Sequence, residues 1–79
     1  MHSGFNKLTP RETVILEHLM KAHTIAEIAD CYTVTKDTVR SQVKSILHKL
    51  EVRSMLAAVV LAYRSGWHLE ATEADKKTS

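Results

Sequence analysis

The chain has 79 residues, with 11 Lys and Arg against 9 Asp and Glu for a formal charge of +2, and it contains two Gly, one Pro, one Cys and four aromatics (Phe5, Tyr32, Tyr63, Trp67). A chain this short forms at most one domain and buries only about 60% of the surface its unfolded form exposes. Its single thiol excludes an internal disulfide, so packing, a partner subunit or attachment to a larger protein must hold the core together.

From Arg11 to Ser65 there is neither Gly nor Pro. That excludes phosphate-cradling glycine loops and argues against a small β-barrel, which needs turn residues at short intervals. Four scattered aromatics are too few for a base-stacking sheet. The amino terminus lacks the apolar run of a signal peptide. The longest apolar run, Met55 to Tyr63, is nine residues, whereas a membrane span needs roughly 20. A small all-α domain in the cytoplasm, away from membranes, is the expectation.

In chain order, residues 1–7 read as a tail. Thr9-Pro10-Arg11-Glu12 then supplies a capping Thr, a first-turn Pro and a Glu three residues after the cap, the signature of a capping box. It predicts a helix over about 10–22, with Ile15, Leu16, Leu19 and Met20 as its buried stripe. Thr24-Ile25-Ala26-Glu27 repeats the box and starts a helix over about 25–31. With Ile25, Ile28 and Ala29 as its apolar set, that helix is too short to stand without neighbours. Thr35 starts a third helix over about 36–50, with Val34 and Val39 spaced as a hydrophobic staple and Val39, Val43, Ile46, Leu47 and Leu50 as its stripe. Ser54 is a weaker cap for a fourth helix over about 55–65, closed by Gly66. Residues 8–67 form the domain, and the polar, aperiodic stretch 68–79 is expected to fray.

A short helix, the turn Tyr32-Thr33-Val34 and a longer helix make the pattern of a helix-turn-helix, whose second helix enters the major groove of double-stranded DNA. Arg40, Lys44 and His48 fall in one row on that helix, with Ser41 beside them, largely opposite the apolar stripe. Lys36 begins the same row, although a cation at a helix amino end opposes the macrodipole. Between Lys36 and Arg53 there are five basic residues and two acidic ones, so the whole chain's small positive charge is concentrated there. Lys36, Arg40 and Lys44 lack acidic partners four residues away, which favours contacts with phosphates and bases over a self-neutralised face.

Leu8-Thr9-Pro10-Arg11-Glu12, Glu27-Ile28-Ala29, Thr38-Val39-Arg40, and Ile46-Leu47-His48-Lys49-Leu50 with Val52-Arg53 together resemble the LuxR-type (NarL/FixJ, GerE-like) DNA-binding domain. No one of these pieces is specific; the four in order and spacing are. The resemblance covers about residues 8–64. It implies a sequence-specific DNA-binding domain of a bacterial transcription regulator, without cofactor, metal or enzyme chemistry. It implies base contacts by Arg40, Ser41 and Lys44, and phosphate contacts by Thr24, Lys36 and Thr38. A fourth helix that mediates homodimerisation on two half-sites is implied as well. RNA polymerase and a sensor or receiver domain would be further partners, and the protein would sit on the nucleoid when bound. No sensing domain fits in this length, so the chain is either a fragment or a free-standing short regulator.

The chain departs from the family pattern in several places. Ala22 and Glu51 stand where the family usually has Gly, at helix ends that favour positive φ, each costing about 1 kcal/mol. Gln42 replaces a usual His. Ala57 and Val60 stand where charges are common, leaving the last helix apolar nearly all round, so it is expected to meet a second subunit through Met55, Ala58, Val59 and Ala62. The alternative is an interaction module that pairs through this helix with another regulator and does not itself read DNA.

Remaining single residues have simpler readings. Cys31 is expected to be a buried structural thiol. His18, His23 and His48 share no metal-ligand spacing, although His48 could touch a phosphate. Glu12, Glu17 and Glu27 have no paired nucleophile. Lys49, toward the apolar side of its helix, is expected to pair with Glu12. Trp67 is expected to cap the core or a subunit interface.

Overall fold

Each helix begins at a hydroxyl side chain on extended backbone. In the computed structural model, which describes residues 3–67, the helices are α1 (Pro10–Met20), α2 (Ile25–Tyr32), α3 (Lys36–Leu50) and α4 (Met55–Arg64). Thr9, Thr24, Thr35 and Ser54 each accept a hydrogen bond from the backbone N–H three residues on. Glu12 and Glu27 reach back to the Thr9 and Thr24 amides at 2.9 and 2.7 Å, closing both predicted capping boxes. No strand occurs among the described residues.

The helix ends share a second device. Ala22, Thr33, Glu51 and Gly66 all have positive φ (66°, 55°, 59° and 72°). Beyond each, the next N–H bonds back five residues: His23 to the His18 carbonyl, Val34 to Ala29, Val52 to Leu47 and Trp67 to Ala62, all at 3.0 Å. These are Schellman motifs, which satisfy the orphan carbonyls of a helix end. The reading of Ala22 and Glu51 as left-handed caps is borne out. Thr33 was not anticipated there, because a β-branched residue is a poor choice for this backbone region. α1 ends two residues before its expected limit because Ala22 has already turned left-handed, and α2 runs one residue longer than expected.

α3 is the central element, packing on α1, α2, α4 and the amino-terminal segment. Its Val39, Ile46 and Leu50 are fully buried against Ile15 and Leu16 of α1, Ile28 of α2, and Ala58 and Ala62 of α4. This is the expected all-α, four-helix arrangement, in which α2 is held by its neighbours rather than by its own length.

Two expectations are corrected by the structure. Residues 3–7 belong to the fold: Ser3–Lys7 forms a 3-10 turn, and Phe5 stacks on Trp67 with ring centroids 5.3 Å apart. Trp67 thus caps the core. Cys31 is exposed, not buried. The buried stripe of α2 is Ile25, Ile28, Ala29 and Tyr32, and Cys31 lies roughly 110° around the helix from its centre. Residues 68–79, expected to fray, lie outside the described residues.

Candidate nucleic-acid interface

The outward face of α3 is built by periodicity alone. With Val39, Val43, Ile46 and Leu50 turned inward, Lys36, Arg40, Ser41, Lys44 and His48 are left exposed on one helix. Lys36 and Lys44 form no ion pair among the described residues. Arg40 does: its Nη1 donates to Asp37 Oδ1 at 2.9 Å. That pairing spans three residues, and the rule of four used on the sequence did not find it.

Thr24 and Thr38 are also exposed. The Thr24 hydroxyl accepts from the Glu27 N–H and bonds the Glu27 carboxylate in return, so a phosphate would have to compete with Glu27 for its proton. The Thr38 hydroxyl meets that of Thr35 at 2.9 Å. When Thr35 donates, the Thr38 proton points to an external acceptor. Both threonines stand at helix starts, where unpaired amides and the helix dipole favour an anion.

The exposed face of α3 is braced from behind by a charge pair. Glu12 is only 6% exposed, and its Oε1 accepts from Lys49 Nζ at 2.6 Å and from the Thr9 N–H at 2.9 Å. Burial by itself would raise its pKa, but the bonds from Lys49, Ser45 and Thr9 outweigh it and hold the carboxyl at about 2. The expected ion pair therefore joins α1 to α3 across the core. Nearby in sequence, the Oε1 of Gln42 is buried and has no hydrogen-bond partner.

A histidine pair at the α1–α2 corner was missed. The Nδ1 atoms of His18 and His23 lie 2.8 Å apart, and His18 Nε2 lies 2.9 Å from the Tyr32 hydroxyl. The Arg11 guanidinium covers the Tyr32 ring at 4.4 Å, so α1 grips the end of α2 from both of its own ends. The pairing follows from the Schellman motif, which brings the side chains of residues 18 and 23 together. A left-handed Ala22 was the signal that could have found it. Burial, then the neighbouring His23 and Lys21, push the His18 pKa down. No group of three or more potential metal ligands forms among the described residues.

α4 shows a different surface from the expected one. Ala58 and Ala62 have no exposed area and cannot reach a second subunit, a correction to that part of the expected interface. Small side chains let α4 approach α1 and α3 closely, and the larger residues turn outward. Leu56 is 72% exposed and Tyr63 58%, with Met55 and Val60 also open to solvent and Val59 half-buried. The Tyr63 hydroxyl donates to the Met20 carbonyl at 2.7 Å, tying α4 to the end of α1. No helix among the described residues is long and apolar enough to cross a membrane.

Comparison with known proteins places this geometry. Residues 6–62 match the family of bacterial regulatory proteins described as the luxR family. The chain is 34% identical over 67 residues to the transcriptional regulatory protein DesR of Bacillus subtilis, covering 85% of this chain and 34% of that protein. It is 41% identical over 59 residues to the transcriptional regulatory protein ComA of the same organism, covering 75% and 28%. Against the response regulator protein VraR of Staphylococcus aureus it is 38% identical over 60 residues, covering 76% and 29%. The chain thus spans about a third of the length of these curated relatives. No solved structure matches it.

Proposed function

Because the chain belongs to the luxR family of bacterial regulatory proteins, and so is a LuxR-type helix-turn-helix DNA-binding domain, we propose that it reads a specific DNA sequence with α3 in the major groove. The family is one of transcription regulators, not of enzymes. The observation that carries the reading is the two-sided character of α3, whose Val/Ile/Leu stripe is buried while Lys36, Arg40, Ser41 and Lys44 on the same helix are exposed. Arg40 grips a guanine through O6 and N7, and Lys44 and Ser41 contact neighbouring bases. Lys36, Thr38 and Thr24 hold phosphates and set the register. Two copies meet through the exposed face of α4 and place two α3 helices on two half-sites. The setting is the bacterial cytoplasm, with a receiver or sensor domain and RNA polymerase as partners of the regulator.

The test separates bases from phosphates. Arg40→Ala should lose discrimination at one base position, costing ~1–3 kcal/mol there, while Lys36→Ala should weaken all sequences alike and flatten the salt slope by about one. Equal loss on every sequence for both variants would remove the assignment of Arg40 to a base. The exposed apolar residues of α4 keep one other reading open, a module that pairs with another regulator without reading DNA. Selection of bound duplexes from a random pool separates the two: a recovered motif supports the first, an empty selection the second.

A further inference from the structure

We propose that Asp37 is a positioning residue for DNA readout, holding Arg40 in the conformation that reads a base and thereby setting specificity at the expense of affinity. The inference rests on the reading of Arg40 as a base-contacting residue. Asp37 and Arg40 stand one turn apart in the first half of α3, both exposed, with Arg40 Nη1 2.9 Å from Asp37 Oδ1. In a helix whose remaining exposed charges on this face are cations, Asp37 is the one carboxylate placed among them.

The geometry of guanidinium gives this pair a consequence. Arg carries five N–H donors in a rigid planar fork. Asp37 engages one hydrogen on Nη1, and the opposite edge, formed by Nε and Nη2, keeps its full set. That edge is the parallel pair of donors that guanine O6 and N7 require. A free Arg must give up side-chain freedom on binding, at about 0.5–1.5 kcal/mol for a rotamer-rich side chain. A tethered one has already given up part of it, the part that an exposed ion pair one helix turn apart can hold. The tether also withholds Arg40 from the phosphates, which would otherwise attract it on any sequence. A carboxylate facing phosphates weakens binding to all DNA, so the two properties move in opposite directions.

That opposition is what the experiment reads, using the whole chain, the duplex it selects from a random pool, copies of that duplex changed at the Arg40-dependent position, and a random-sequence duplex. Asp37→Asn and Asp37→Ser should bind the random duplex more tightly than the unsubstituted chain. Both should lose about twofold of the preference for the selected base, the amount that releasing an exposed ion pair within one helix implies. Asp37→Glu should restore part of that preference. In an Arg40→Ala background, Asp37→Asn should leave the preference unchanged, since a double-mutant cycle cancels any role that does not pass through Arg40. A purely structural role as a first-turn acid would lower affinity for both duplexes together and leave their ratio alone. An unchanged preference in Asp37→Asn, with Arg40→Ala still losing it, overturns the proposal while the base reading stands. If Arg40→Ala keeps the preference, the base reading itself has failed and the proposal with it.

Discussion

Among the described residues three groups have depressed pKa values in the fold, Glu12, His18 and the exposed capping Glu27, and the shifts of the two that are not exposed, Glu12 and His18, follow from what surrounds a single side chain. The fall of the Glu12 pKa from its ordinary 4.5 to about 2 corresponds to ~3 kcal/mol of stability at neutral pH. A depressed carboxyl contributes fully above its unfolded value, and the contribution disappears as pH falls through the folded one, so the window runs from about 5 down to 2. His18 is also depressed, below 6.5. Its neutral form is the one the fold prefers, so that contribution is complete above 6.5 and is lost as pH falls through its folded value. Protonated His18 would face Lys21 and the His23 imidazole, with Glu17 opposing and Arg11 across the Tyr32 ring; Glu27 lies on the far side of His23. Urea unfolding followed from pH 8 to 2 should therefore show two losses. His18→Gln should remove the one just below neutrality, and Glu12→Gln should remove most of the one in the carboxylate range, leaving the smaller part that the depressed Glu27 supplies. An unaltered profile in either variant would mean that the corresponding group does not govern its window.

At the scale of the element, the helices start well and end at a cost. All four amino-terminal caps are Thr or Ser, and two close reciprocal boxes. Of the four carboxy-terminal turns, Gly66 alone has the residue suited to positive φ, while Ala22, Thr33 and Glu51 carry side chains there. An L residue in this region costs about 1 kcal/mol relative to Gly. Ala22→Gly and Glu51→Gly should each raise the unfolding free energy by ~1 kcal/mol, seen as a rise of about 4–8 °C in Tm for a domain of this size. Neither gain would be expected if the folded ends relaxed away from left-handed geometry. Thr33 lies in the turn between α2 and α3, so its strain bears on how α3 is held against α2. The spacing of the stripes on α1 and α3 was legible because 3.6-residue periodicity is a local property. The pairing of His18 with His23 was not drawn from the expected reversal at Ala22, because it depends on which side chains that reversal carries together across the helix end.

For the molecule as a whole, a +2 charge and an apolar last helix resolve into an exposed basic face on α3 and an exposed apolar stripe on α4. The cations of α3 lie on one, while Leu56, Val60 and Tyr63, spaced four and three residues apart, make a stripe on α4. In the proposed dimer, covering that stripe with its twin from a second copy buries large apolar side chains. Leu56→Asp and Val60→Asp should shift the chain to monomer in sedimentation equilibrium. They should remove cooperative binding to paired half-sites and make Tm independent of protein concentration, which the dimer's Tm is not. A wild-type chain that sediments as a monomer with and without duplex would sink the dimer.

The sequence alone determined the helices, their caps, the basic face and the family, because each is written in contacts between residues close in the chain or in a motif of fixed spacing. It also placed Lys49 against Glu12, since a cation on the apolar side of a helix requires a buried anion. Which residues of α4 are free was decided only by the tertiary structure. An all-apolar helix carries no mark of which side faces its own core, and the alanines, being smallest, went where two other helices approach most closely. The same holds at the amino terminus, where Phe5 became part of the fold because Trp67, 62 positions away, supplied the ring it stacks on.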